Sequence, residues 1–188
     1  MRITSGKARG ILLSSFKDPL LRPATDFMRK AVFSSLGEIV RGTFFLDLFS
    51  GTGAYGLEAL SSGARGGIFV EKHPLGVRVI EQNLKAVLKS MAGIDNPCEI
   101  VKADIFKITT LEERTYDLIF VDPPYRFFEE DMDILWQKCL KWLKLSENSR
   151  LVIEAPGFFT LPEHLPIKII REFKNKKKDP AVYIVNLD

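Results

Sequence analysis

Cysteine and histidine are scarce, two of each in 188 residues. Cys98 and Cys139 lie far apart and form no CxxC or His-bearing spacing, so neither a disulfide framework nor a zinc site is indicated. Both read as ordinary buried thiols. No apolar run approaches the ~20 residues of a membrane helix. The opening MRITSGKARGILLSSF also lacks the long apolar stretch of a secretory signal, so a cytoplasmic protein without a membrane partner is expected. Repeats, low-complexity tracts and Pro/Gly-rich linkers are missing as well. The length suits one well-buried core and is short for two, so 1–188 is expected as a single domain, with 1–42 an extension and 43–188 the core. With 46% hydrophobic and 27% charged residues, the composition is that of an ordinary globular protein.

The net charge of +3 says less than its distribution. Residues 1–42 carry 8 Lys/Arg against 3 Asp/Glu, and residues 168–188 carry 6 against 3, including KNKKKD. The middle, 43–167, holds 13 against 18. Basic ends around an acidic centre suit a polyanion gripped at the ends and a cationic or zwitterionic ligand between them.

Short apolar runs at TFFLDLF (43–49), GGIFVE (66–71), CEIVKAD (98–104), YDLIFVD (116–122) and SRLVIEA (149–155) read as strands. Helical patterns separate most of them. AYGLEALSSG is stopped by Gly63, a longer helix runs from Pro74 to about Met91, and EEDMDILWQKCLKWL follows the fourth strand. IKIIREFK and AVYIVNL have no helix between them and read as a closing antiparallel hairpin. Ahead of the first strand, TDFMRKAVFSSLGEIV reads as a helix capped by Thr25 or Asp26, with Phe27, Ala31 and Leu36 turned inward. The alternation predicts an α/β fold, a doubly wound, mostly parallel sheet of seven strands. Such sheets bind ligands beyond the carboxyl ends of their strands. The residues to watch are therefore those just after 49, 71, 104 and 122.

GTGAYG (51–56) follows a strand and opens a helix, and Glu71 stands 20 residues after Gly51. A nicotinamide dinucleotide site predicts the same pattern. Asp47 separates the candidates, because a carboxylate four residues before Gly51 would face a doubly charged pyrophosphate at close range. S-adenosylmethionine carries no phosphate and offers an ammonium and a sulfonium. The acid suits it, with Gly51 and Gly53 forming the cradle. Glu71 is then placed to accept ribose hydroxyls, and Asp104 the adenine amine, with Ile105 or Phe106 against the ring. Asp104 also has a simpler reading as a turn cap before IFKI.

The sequence DPPY, Asp122–Tyr125, ends the fourth strand. An exocyclic base amine is a poor nucleophile because its lone pair is delocalised into the ring. A carboxylate and a backbone carbonyl accepting its two N–H groups would aim that lone pair. Asp122 supplies the first, the Pro123–Pro124 pair restricts the backbone that presents the second, and Tyr125 offers a face for a flipped-out base. Positioning is the catalytic device, and no metal is called for.

These segments together resemble the amino-methyltransferases of the S-adenosylmethionine-dependent Rossmann-like superfamily. More narrowly, the chain is similar to the RsmD-type 16S rRNA guanine-N2 methyltransferases of bacteria, through MRITSGKARGILL, LRPATDFMRKAVFSSL, FLDLFSGTGAYGLEALSSGA, FVEKHP and VDPPY. The resemblance implies a class I methyltransferase fold with S-adenosyl-L-methionine as cofactor and 16S rRNA or the small ribosomal subunit as partner, acting as a monomer. It implies a small N-terminal extension over the cofactor and RNA. Thr25 is then a candidate cofactor contact, Arg22 and Arg29 are candidate RNA contacts, and Arg2, Lys7 and Arg9 become candidate phosphate contacts. Phe27 stands where many relatives carry Arg. Three alternatives stay open: a DNA adenine-N6 or cytosine-N4 amino-methyltransferase, a nicotinamide oxidoreductase, and a non-catalytic RNA-binding factor on the same fold.

Overall fold

The computed structural model describes residues 1–15, 26–92, 97–108, 111, 114–130, 132–174 and 180–187, with main chain only at 129 and 130. The apolar runs become strands β1 (Phe44–Leu48), β2 (Gly66–Glu71), β3 (Cys98–Lys102), β4 (Leu118–Val121), β5 (Arg150–Ala155), β6 (Ile167–Phe173) and β7 (Ala181–Leu187). Their order in the sheet is β3-β2-β1-β4-β5-β7-β6. The first five are parallel, and β7 inserts antiparallel between β5 and β6. Strand order reverses between β1 and β4, which puts the glycine loop and the DPPY turn side by side. The doubly wound reading and the closing hairpin both hold.

The helices are α1 (Asp26–Leu36), α2 (Ala54–Ser61), α3 (Pro74–Ser90), α4 (Phe127–Glu130) and α5 (Met132–Trp142). One sheet face packs on α1–α3 through Phe45, Phe69, Phe120, Val152 and Val182, and the other on α5 through Leu46, Ile119, Leu151 and Trp142. Strand alternation assigns neighbouring residues to opposite faces.

The expected inward face of α1 needs correction. Phe27 is 74% exposed, and Ala31 is only half-buried. Arg29, Val32, Phe33 and Leu36 point inward instead. Tertiary contacts set this phase: Phe33 lies 5.7 Å from Phe120 and 6.5 Å from Tyr55 between ring centroids. The expected cap Thr25 lies outside the described residues, and α1 gives way to a 3-10 turn at Gly37–Val40.

Every residue of α2 is buried, because the N-terminal segment covers its outer face. That segment is pinned by Arg2–Leu12 pairing and by Glu58. Glu58 accepts from the main chain of Thr4 and Ser5, from both of their hydroxyls and from Arg29 Nε. Lys7 N–H and Ala8 N–H then donate to Ser61.

Candidate active site

The glycine loop begins where β1 ends. Gly51 and Gly53 take φ of 55° and 77°, left-handed values that glycine adopts freely. Gly53 leads directly into α2. At Gly56 a Cβ would come within 2.4 Å of the Phe69 ring and 2.7 Å of Phe45, so the third glycine is what lets α2 lie on the sheet.

Asp47 is 3% exposed, and its Oδ2 accepts from Gly56 N–H at 2.9 Å. A carboxylate thus already receives a first-turn amide of α2, where a dinucleotide pyrophosphate would have to bind. Burial pushes the Asp47 carboxyl up to about 7 against the pull of that amide, and Glu71 adds to the rise. Glu71, at the end of β2, accepts from Gly51 N–H through Oε2 at 2.7 Å and from His73 N–H through Oε1 at 2.6 Å. Two acids accepting from the Gly56 and Gly51 amides fit a positively charged, phosphate-free cofactor better than a pyrophosphate.

Asp104 behaves as a turn cap. Its Oδ1 accepts from Phe106 N–H and its Oδ2 from Lys72 Nζ at 2.8 Å, and the Lys72 hydrogen bond holds its carboxyl below the usual range. An adenine amine would have to compete with Lys72 there. Ile105 is buried in the α5-side core, so Phe106 is the residue left at the surface for ring packing. Phe106 forms a three-ring cluster with Phe49 and Phe127, with centroids 5.1–6.2 Å apart.

Asp122 lies at the carboxyl end of β4, and its side chain makes no hydrogen bond among the described residues. Burial raises its carboxyl well above the usual range, and the charges of Glu154 and Asp47 raise it further. The turn after it closes with Phe127 N–H on the Pro124 carbonyl and Phe128 N–H on the Tyr125 carbonyl. The Pro123 carbonyl takes no such bond among the described residues. Tyr125 packs edge-on to Phe128, which meets Phe159 at 4.8 Å, and Phe159 in turn meets Tyr183 of β7. A line of rings therefore braces Tyr125.

Arg29 overturns its expected role. It is fully buried, bonded to Glu58, to Asp26 and to the Arg2 carbonyl, and cannot present a guanidinium to RNA. It is an internal clamp, and its charge is spent on Glu58. Arg2, Lys7 and Arg9 are exposed. Arg22 and Thr25 lie outside the described residues, as do 175–179 of the KNKKKD run.

Four side chains of consequence escaped the sequence reading. Glu58 stands in an otherwise apolar helix, a signal that an acid there needs a partner. Asn83 ties the N-terminal segment to the glycine loop, accepting from Ser14 N–H and donating to the carbonyls of Ser14 and Thr52. Tyr55, inside the glycine pattern itself, donates its hydroxyl to Glu154 Oε2 at 3.1 Å. Glu154 is the acid in the apolar run of β5.

A family model described as conserved hypothetical protein 95 matches residues 1–185. The chain belongs to this family. Its members are RsmD-type methyltransferases that use S-adenosylmethionine. The chain is 33% identical over 138 residues to ribosomal RNA small subunit methyltransferase D of Escherichia coli, covering 72% of this chain and 66% of that protein. The namesake from Buchnera aphidicola (strain Bp) is 26% identical, with 98% and 91% covered. The solved structure of a hypothetical protein from Thermus thermophilus superposes with a TM-score of 0.75 at 26% identity over 100% of this chain and 99% of that one.

Proposed function

We propose that this protein methylates the exocyclic N2 amine of a guanine in small-subunit ribosomal RNA. The carrying observation is Asp122, an acceptor without an internal partner among the described residues, set beside the glycine loop and followed by the Pro123 carbonyl and the Tyr125 ring. The relatives' names support ribosomal RNA as the substrate.

Asp47, Glu71 and the amides around Gly51 and Gly53 hold the cofactor, with Phe106 against its adenine; Thr25 is a further candidate. Bound there, the cofactor supplies an electrophilic methyl on a sulfonium. Asp122 and the Pro123 carbonyl accept the two N–H groups of the target amine and turn its lone pair towards that methyl. Tyr125 stacks on the base, whose extrusion costs least in an unpaired stretch of RNA. Exposed Arg2, Lys7 and Arg9 bind phosphates, positioning the RNA without reading its sequence.

The test is methyl transfer from labelled S-adenosylmethionine to small subunits from cells lacking the gene, to their naked rRNA and to duplex DNA, followed by nucleoside identification. N2-methylguanosine from subunits or rRNA is the expected product. Label in adenine or cytosine of DNA would replace this substrate with the DNA amino-methyltransferase reading. No label despite cofactor binding would overturn catalysis.

A further inference from the structure

Three carboxylates converge beneath the site. The β1–β4 register pairs Asp47 with Phe120, and the β4–β5 register pairs Phe120 with Val152 and Val121 with Ile153. Since side chains alternate along a strand, Asp47, Asp122 and Glu154 share the sheet face that α1 and α2 cover. Asp122 and Glu154 end neighbouring strands on that face. Glu154 is 4% exposed, and the Tyr55 ring stacks on Phe120 at 5.2 Å while its hydroxyl reaches Glu154. A glutamine would satisfy that hydroxyl without introducing a buried charge, so the acid itself calls for an account.

We propose that Glu154 is a positioning residue that acts through Asp122, its negative charge making Asp122 a stronger base for the proton of the target amine. As the new N–C bond forms and the methyl–sulfur bond breaks, N2 becomes cationic and sheds one proton. Asp122 takes that proton and returns it to solvent as product leaves. A carboxylate is most effective in this role when its basicity is matched to the working pH. Among the described residues, the charged and titratable groups around the Asp122–Glu154 pair are Asp47 from β1, the Tyr55 hydroxyl from α2 and Arg29 from α1, with Val182 and Ile184 of β7 apolar. Glu154 itself is lifted to about 7 by burial, against Tyr55 and Arg29. Its charge in turn raises Asp122.

The inference rests on the role proposed for Asp122, and the pH dependence of single-turnover transfer tests the two separately. For wild type, the rate rises along an acidic limb. Glu154→Gln keeps the Tyr55 hydrogen bond and removes the like charge, so the limb moves to lower pH by about one unit and the plateau rate falls. Glu154→Asp, which keeps the charge, restores the limb towards wild type. Asp122→Asn removes the limb altogether. An Asp122→Asn variant with unchanged rate and profile would sink the role of Asp122 itself. Loss of the limb in Asp122→Asn with an unmoved limb in Glu154→Gln would sink only the proposal for Glu154. Carboxyl-carbon NMR on the unsubstituted protein reads the same coupling without relying on a variant's folding. Two-step titration of both residues is expected, and independent single-step curves would overturn the proposal.

Discussion

Arg29 Nε and Glu58 Oε2 meet at 3.2 Å with both side chains fully buried, and this pair joins α1, α2 and the N-terminal segment. Glu58 also receives the amides of Thr4 and Ser5. Removing one partner of such a pair leaves the other charge buried and uncompensated, which costs ~3–5 kcal/mol. Glu58→Ala is therefore expected to lower the unfolding free energy by about that amount and to open the N-terminal segment to trypsin at Lys7 and Arg9. Denaturant unfolding and limited proteolysis check both effects. Wild-type protease resistance in the variant would mean that the segment is held by something else.

The phase of α1 yields a paired prediction. Phe33 packs against Tyr55 and Phe120, whereas Phe27 faces solvent. Phe33→Ala is expected to destabilise by ~3–5 kcal/mol, and Phe27→Ala by less than about 0.5 kcal/mol. Equal losses in thermal or denaturant melts would restore the inward placement of Phe27.

This helix also marks where the sequence was legible and where it was not. Most strands of the parallel sheet are apolar runs, so their existence could be read and their ends placed to within about two residues; GGIFVE became β2 without change, while the run 116–122 shortened to Leu118–Val121. The glycine loop and DPPY were readable because each uses residue types whose backbone demands are local. The face of α1 was not, since its apolar residues fit more than one phase, and the choice rests on Phe33 meeting Phe120 and Tyr55 and on Arg29 finding Glu58 across 29 residues of sequence. Glu154 was hidden for the same reason. An acid in an apolar strand shows that a partner is needed, but only the fold reveals Tyr55 and Asp122 beside it.

Asp122 is expected to matter for transfer far more than for cofactor binding. In the proposed reaction it accepts from the target amine, while Asp47, Glu71 and the glycine loop take the cofactor. Asp122→Ala should abolish methyl transfer and leave S-adenosylmethionine affinity nearly unchanged by calorimetry. Equal loss of both would assign Asp122 to the cofactor.

Asp47 gives stability a pH dependence of definite sign. Its folded carboxyl titrates at about 7 against the ordinary 3.8, chiefly through burial. The folded state therefore binds the proton more tightly than the unfolded chain. This contribution is full below pH ~4 and is lost progressively as pH rises through 7, with a total on the order of 4 kcal/mol. Asp47→Asn keeps an acceptor for Gly56 N–H and cannot ionise, so its melting temperature should fall less than wild type's between pH 5 and pH 8. Parallel pH curves for the two proteins would show that Asp47 titrates normally in the fold.

Phosphate binding by the N-terminal segment makes the last prediction, and salt dependence is its measure. Arg2, Lys7 and Arg9 are exposed on a segment whose main chain is fixed to α2 and α1, so their charges are held in place at little further cost in ordering. Each phosphate contact to single-stranded nucleic acid releases counterions and adds about 0.7 to the slope of log affinity against log salt. Replacing all three by glutamine should reduce that slope by ~2 if each makes one contact, and should weaken binding to different rRNA fragments alike, since phosphate contacts carry no sequence information. Arg29→Gln is the informative contrast. Its guanidinium is enclosed by Glu58, Asp26 and the Arg2 carbonyl, so it should lower stability while the folded fraction keeps the wild-type salt slope. An unchanged slope in the triple variant, or a reduced one in Arg29→Gln, would move the RNA path away from this segment's exposed face.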